Sequence, residues 1–328
     1  MRLLTILSLM LLVAGCGSAD EPPADGPTYN IDADRITVSG VSSGAMLATQ
    51  MHVAHSNLIA GAAMIAGGPY YCAEANLKKG LGPCMKGGDV GLAALVEYTR
   101  TTASSEGIDN PQNLAGDPVW LFHGKNDIAV HADMTAAAAE YYGEFEAQVT
   151  SVVDTVDAAH GFPTTAAGAA CGEMAAPFLN ACDYDAAGEL LTALYGDLQA
   201  RGTAVAELEK IPQPGASDAT MLPSALLYVP ASCRDGAACG VHIAFHGCQQ
   251  STDYVGDAFA SMAGLNEWAE TNRLIILYPQ VDSSKIAPMN PMGCWDWWGY
   301  TDADYATRKG AQIRVVKSIL DGLAGKTL

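Results

Sequence analysis

Short apolar runs closed by glycine, proline or a charge alternate along this chain with stretches of helical period. RITVSG (35–40) has the length and β-branched content of a strand ending at Gly40, and in the segment that follows Leu47, Met51, Ala54 and Leu58 recur at helical intervals. IAGAAMIAGG (59–68), DPVWLFHG (117–124) and AQVTSVVD (147–154) predict further strands, with helices between them over Val90 to Thr102 and Ala132 to Phe145. ALLYVP (225–230), GVHIAFHG (240–247) and RLIILYP (273–279) continue the series, accompanied by helices around Phe259 to Thr271 and Ala303 to Leu323. Strands that alternate with helices, and that are apolar along their whole length, predict an α/β fold with a mostly parallel central sheet and helices on both faces.

The stretch from Gly161 to Pro214 breaks this rhythm. It is rich in Ala, Gly, Pro and Cys and carries one helix of its own, AAGELLTALYGDL, so it reads as a lid-like insertion of about 161–214 in a single domain of residues 35–328. At 328 residues and 49% hydrophobic content the chain is long enough to bury a sizeable core. Its beginning is different in kind. MRLLTILSLMLLVAGC joins a basic Arg2 to an apolar run from Leu3 to Val13 that is too short to span a bilayer, the pattern of a signal peptide over residues 1–15. Val13-Ala14-Gly15-Cys16 has the look of a bacterial lipobox, which makes Cys16 the lipidation site and residues 16–34 a polar, Pro-rich tether; ordinary cleavage nearby is the alternative.

Nine cysteines less Cys16 leave eight, an even number suited to an oxidising compartment. Proximity suggests Cys72 with Cys84, Cys171 with Cys182 and Cys233 with Cys239, leaving Cys248 and Cys294 for a longer clasp. There is no CxxC pair, which weakens zinc and thioredoxin readings. The net charge of −19 argues against nucleic acid and disfavours anionic substrates; an acidic, solvated surface is its simplest meaning.

The candidate chemistry sits in GVSSG (40–44), after the first strand and before a helix. A nucleophile elbow needs small residues two positions either side of its serine, because the strained turn brings strand and helix backbones together. That spacing selects Ser42, flanked by Gly40 and Gly44, over Ser43, flanked by Val41 and Ala45. The Ser43 amide, at the helix start, is then placed for an oxyanion. A serine of this kind needs a histidine base held by a carboxylate. Asp127, just beyond the 117–124 strand, and His160, beyond the next, complete the order Ser, Asp, His of α/β-hydrolases. Asp154 and Asp157 are rival acids. His52 and His55 lie on the elbow helix and suit core or solvent roles, while His123, His131, His242 and His246 suit local hydrogen bonding. A second oxyanion amide is expected at Cys248, in the turn His246-Gly247-Cys248. In the usual α/β-hydrolase this segment precedes the serine, so its position here, more than eighty residues after the histidine, implies a circularly permuted sheet.

GVSSG, LFHGKND, AAHGFP, NACDYDAAGELLTALYG, IAFHGCQQ and NPMGCWDWWGY together resemble the secreted poly(3-hydroxybutyrate) depolymerases with a circularly permuted catalytic domain, over roughly residues 35–325. The resemblance implies a single-domain α/β-hydrolase fold, Ser42 as nucleophile, Asp127 as orienting acid, His160 as general base, and the Ser43 and Cys248 amides as oxyanion donors, without metal or organic cofactor. Longer family members carry a linker and a polymer-binding module that this sequence lacks. CWDWWGY (294–300) holds three of the five tryptophans, which suit either core packing beside a disulfide or an aromatic wall of the substrate crevice; at least one of Trp297 and Trp298 is expected to line it, with Tyr70 and its neighbour Tyr71 as weaker candidates. The expected partner is a neutral polyester or simpler ester, met by a monomer whose contact with a membrane is through its N-terminal lipid. Feruloyl, tannin-like or short-chain esters are the alternative substrates, and a surface binding protein on a hydrolase fold is the non-enzymatic alternative.

Overall fold

A computed structural model describes residues 26–328. The expected signal peptide, the lipidation site Cys16 and the first part of the tether lie outside the described residues. The main sheet has eight strands: β1 (Ile31–Val41), β2 (Ala62–Ile65), β3 (Pro118–His123), β4 (Gln148–Val153), β8 (Glu209–Pro212), β9 (Ser224–Tyr228), β10 (Cys239–Phe245) and β11 (Leu274–Tyr278). A small second sheet holds β5 (Phe162–Thr164), β6 (Ala169–Ala170) and β7 (Leu179–Ala181). The main sheet runs β4-β3-β2-β1-β10-β11-β9-β8, parallel from β4 through β11, with β9 antiparallel to β11 and to β8. Helices pack on both faces, and the architecture is that of an α/β-hydrolase-like fold.

Period-two alternation along the central strands builds two cores. Ile36 and Val38 of β1 and Val241, Ile243 and Phe245 of β10 face one side, where they meet the helices Ser43–Ala54 and Ala311–Ala324. Val41 and Ala244 face the other side with Trp120 and Phe122 of β3, under the helix Ala186–Tyr195. Alternating with Ile36 and Val38, the opposite-facing Thr37 and Ser39 place their hydroxyls 2.8 Å from the two ring nitrogens of His242 on β10, so a polar triplet is buried without an unpaired group.

Several expectations change. The predicted lid contributes structure to the body instead: Leu190, Leu191 and Leu194 of the helix Ala186–Tyr195 are buried on the sheet, and β8 extends its edge. An isolated amphipathic helix does not declare which apolar surface it covers. Of the 161–214 segment, Gly161, Met174 and Phe178 reach the cleft described below. The helix expected over 259–271 is two, Ala258–Met262 and Leu265–Asn272, broken where Gly264 adopts φ +89°. The last helix begins at Ala311, because residues 303–310 turn back so tightly that a Cβ on Gly310 would lie 2.4 Å from the Tyr305 carbonyl oxygen.

The four expected disulfides are all formed: Cys72–Cys84, Cys171–Cys182, Cys233–Cys239 and Cys248–Cys294. The first three close short loops. The fourth ties the turn after β10 to the tryptophan-rich segment across 46 residues.

Candidate active site

Ser42 occupies the turn between β1 and the helix Ser43–Ala54 with φ 58° and ψ −121°, a backbone state that L-residues rarely adopt. The flanking glycines make it possible. A Cβ on Gly40 would lie 2.2 Å from the carbonyl carbon and oxygen of Gly44, and one on Gly44 would lie 2.4 Å from the carbonyl oxygens of Phe245 and His246. The Ser42 amide donates to the Ile65 carbonyl at 2.9 Å, so β2 holds the turn from the other side.

Asp127 lies beyond β3, where its Oδ1 accepts the amides of Ala129 (2.9 Å) and Val130 (3.0 Å). Its Oδ2 is 2.7 Å from His160 Nδ1, and His160 Nε2 is 2.8 Å from Ser42 Oγ. Burial alone would raise the Asp127 carboxyl; the hydrogen bond and charge of His160, with the two amides, overcome it and hold the group below its ordinary value. The pair of loops that brings acid and base together is closely joined. Lys125 and Asn126 donate their amides to Val156 and Ala158, the Asn126 side chain donates to the Asp157 carbonyl at 2.7 Å, and a Cβ on Gly124 would strike the Ala158 carbonyl oxygen at 2.4 Å.

The other candidates are engaged elsewhere. Asp154 pairs with His123, whose second nitrogen meets the Val130 carbonyl, and Asp157 pairs with Lys125 at the surface. His52 is buried between Tyr142 and Asp117, His55 is buried, and His131 caps the helix Ala132–Gly143 by accepting the Asp133 amide. Among the described residues no group of three or more His, Cys, Asp or Glu side chains is placed to hold a metal ion.

A cleft of about 490 Å³ opens in front of Ser42. Its walls are largely apolar: Met46, Val130, Met174, Phe178, Trp297 and Trp298 are among its lining residues, as are Ser43 and Cys248. Tyr70 is not. It is fully buried in the core and donates its hydroxyl to the Ala306 carbonyl at 2.8 Å, a core position for an aromatic whose polar tip has found a partner. Tyr71 stacks on Tyr98 beside it, with ring centres 3.6 Å apart.

Three supporting side chains escape any reading by motif. Gln250 accepts the Gly247 amide at 2.7 Å and donates to the Pro177 and Phe178 carbonyls, joining the turn after β10 to the segment beyond His160. Asn180 Oδ1 lies where a Cβ on Gly161 would sit, and its Nδ2 donates to the Glu173 carbonyl. Asp296 accepts the amides of Gly299, Tyr300 and Thr301, which folds the tryptophan segment into a tight loop; burial raises its carboxyl, and those donors with the Thr301 hydroxyl oppose the rise. All three stand inside or beside motif segments, but a lone Gln, Asn or Asp carries no spacing that marks it.

No protein-family model matches the chain. It is 33% identical over 330 residues to a polyhydroxybutyrate depolymerase of Talaromyces funiculosus, an alignment covering 94% of this chain and 96% of the relative. The chain belongs to the poly(3-hydroxybutyrate) depolymerase family. A second family member, the poly(3-hydroxybutyrate) depolymerase of Delftia acidovorans, is 36% identical over 310 residues, or 92% of this chain; the chain spans only 62% of that relative's length. Among solved structures, the PHB depolymerase from Penicillium funiculosum superposes with a TM-score of 0.85 at 31% identity, covering 91% of this chain and 98% of that one. A serine-to-alanine form of a PHB depolymerase, complexed with an R3HB trimer, matches with the same values. In this depolymerase-family chain the nucleophile candidate, the carboxylate and the imidazole therefore meet at the mouth of an apolar cleft.

Proposed function

We propose that the protein is a serine esterase that hydrolyses the ester bonds of poly(3-hydroxybutyrate) or its oligomers through an acyl-enzyme. The observation that carries this reading is the unbroken hydrogen-bonded line from Asp127 through His160 to Ser42. His160 takes the Ser42 proton as Oγ attacks an ester carbonyl, Asp127 holds the imidazole and stabilises the imidazolium, and the carbonyl electrons move onto oxygen opposite the Ser43 and Cys248 amides. His160 then protonates the departing alcohol, and water repeats the cycle on the acyl-Ser42. Trp297 and Trp298 form the aromatic part of the wall that receives the acyl chain. A neutral polyester suits a chain of net charge −19, which repels anions.

The strand order supports a circularly permuted α/β-hydrolase sheet: β1 to β4 form the half that carries Ser42, Asp127 and His160, and β8 to β11 form the half that carries Cys248. The protein is exported by residues 1–15, anchored through a lipid on Cys16 and monomeric in this reading, which rests on the apolar and lipobox-like sequence of its start. Ser42→Ala and Ser43→Ala, assayed separately on amorphous poly(3-hydroxybutyrate) and on p-nitrophenyl and feruloyl esters, test both chemistry and substrate. Turnover retained by Ser42→Ala overturns the mechanism; feruloyl turnover without polymer clearing overturns the substrate.

A further inference from the structure

An oxyanion donor works only if its N–H is held in place before the reaction, so what holds the Cys248 amide is as much part of the site as the amide itself. The turn after β10 uses its neighbouring amides elsewhere: the Gly247 amide donates to Gln250 Oε1 at 2.7 Å and the Gln249 amide to the Met292 carbonyl at 2.7 Å. Among the described residues the Cys248 amide has no protein acceptor. The turn runs directly against the nucleophile, since a Cβ on Gly247 would lie 3.6 Å from Ser42 Cβ.

The direction of the Cys248 N–H is the opposite of the direction of the Gly247 carbonyl, because the two belong to one planar trans peptide. That carbonyl has a partner. His246 Nδ1 lies 2.7 Å from it, and His246 Nε2 accepts the Val281 amide at 3.3 Å. The Val281 N–H can be accepted only by an unprotonated Nε2, so the proton is on Nδ1 and the ring is neutral. The ring is fully buried, and burial lowers its pKa to about 4, in keeping with that state. On the other side, Trp295 Nε1 donates to the His246 carbonyl at 2.9 Å.

We propose that His246 is a positioning residue: its Nδ1–H tautomer, locked by the Val281 amide, turns the Gly247–Cys248 peptide so that the Cys248 N–H meets the oxygen of the tetrahedral adduct on Ser42. This rests on the reading of Ser42 as nucleophile and Cys248 as oxyanion donor. In the step concerned, a bond forms between Ser42 Oγ and the carbonyl carbon, the Oγ proton passes to His160 Nε2, and the carbonyl π pair becomes the oxyanion. His246 touches none of these atoms. Asparagine at 246 retains a donor for the Gly247 carbonyl but loses the acceptor for Val281, and leucine retains neither.

The test uses the full chain with His246→Leu and His246→Asn. Steady-state kinetics on p-nitrophenyl butyrate is combined with NMR of the hemiketal formed by a carbonyl-labelled trifluoromethyl ketone on Ser42. For His246→Leu the expected result is a kcat lower by roughly 10²-fold, as for loss of one oxyanion donor, with KM changed by less than about threefold. The hemiketal pKa should rise above that of the wild type, and His246→Asn should recover part of both effects. A folded His246→Leu with wild-type kcat and wild-type hemiketal pKa overturns the proposal. If the wild-type hemiketal is no more acidic than the free hydrate, the oxyanion reading fails first and this one with it. Nitrogen NMR of the wild-type imidazoles gives a readout that needs no variant: a proton on His246 Nε2 overturns the proposal even if His246→Leu does not fold.

Discussion

His160 Nε2 lies 2.8 Å from Ser42 Oγ although 118 positions separate the two residues in the chain. The contact is set by strand order: β1 to β4 are parallel with β2 and β3 between the outer two, so the segment after β4 returns across the C-terminal ends of those strands to the elbow. Replacing Asp127 with Asn keeps the size of this arrangement but loses the charge and the tautomer it enforces. Ester turnover should fall by about 10⁴-fold with melting temperature little changed, and kcat against circular dichroism measures both.

Gly40 and Gly44 are expected to tolerate no side chain. Alanine at 44 would drive a methyl group against two carbonyl oxygens at 2.4 Å, both backbone, so the elbow must open. Active-site titration with a fluorophosphonate should show Gly44→Ala labelled far more slowly than wild type; equal labelling rates would contradict the steric account.

Removing the Cys248–Cys294 clasp should separate activity from the rest of the fold. In the chain-entropy account its 46-residue span contributes on the order of 4 kcal/mol to stability. Because it also joins the turn bearing the proposed oxyanion amide to the tryptophan loop, Cys294→Ala should lower kcat at temperatures where the sheet is still intact by far-UV circular dichroism.

Trp297 and Trp298 should differ on truncation. Trp297 is 7% exposed and packs within the cluster around Val90, Leu95 and Met134, so Trp297→Ala is expected to cost about 3 to 5 kcal/mol in a denaturant titration. Trp298 is only partly buried at the cleft, and Trp298→Ala should mainly raise KM.

Stability should decline in mild acid before the carboxylates titrate. Burial lowers His242 to about 3 and His246 and His55 to about 4. Their folded pKa values thus lie below an unfolded value near 6.5, and between these limits the unfolded chain binds protons that the folded one refuses. The histidine contribution is therefore present above about 6.5 and is lost as pH falls toward about 4; Asp127, lowered in the fold, adds a further loss as pH drops below the ordinary carboxylate range. Melting temperatures measured from pH 7 to 4 should fall, and His242→Asn, which keeps a polar partner for Thr37 and Ser39, should flatten the upper part of that slope.

Much of the site can be read from residues alone, because its requirements are local. The Gly-x-Ser-x-Gly turn is a steric condition on five consecutive residues, and short apolar runs state that a strand is buried. Three of the disulfides link residues 6 to 12 apart, where loop closure favours near neighbours. Tertiary structure decided the rest. The antiparallel direction of β9 against β11 is one case, since an apolar pentapeptide packs equally well either way up. Whether Tyr70 lined a cleft or a core depended on Ala306, 236 residues away, offering its carbonyl. Gln250 and His246 matter because their side chains meet the Pro177 and Phe178 carbonyls and the Val281 amide, which only the fold brings near. A sequence pattern records the backbone conformation and burial a residue prefers, whereas a hydrogen bond between distant segments exists only after packing has removed water from both partners.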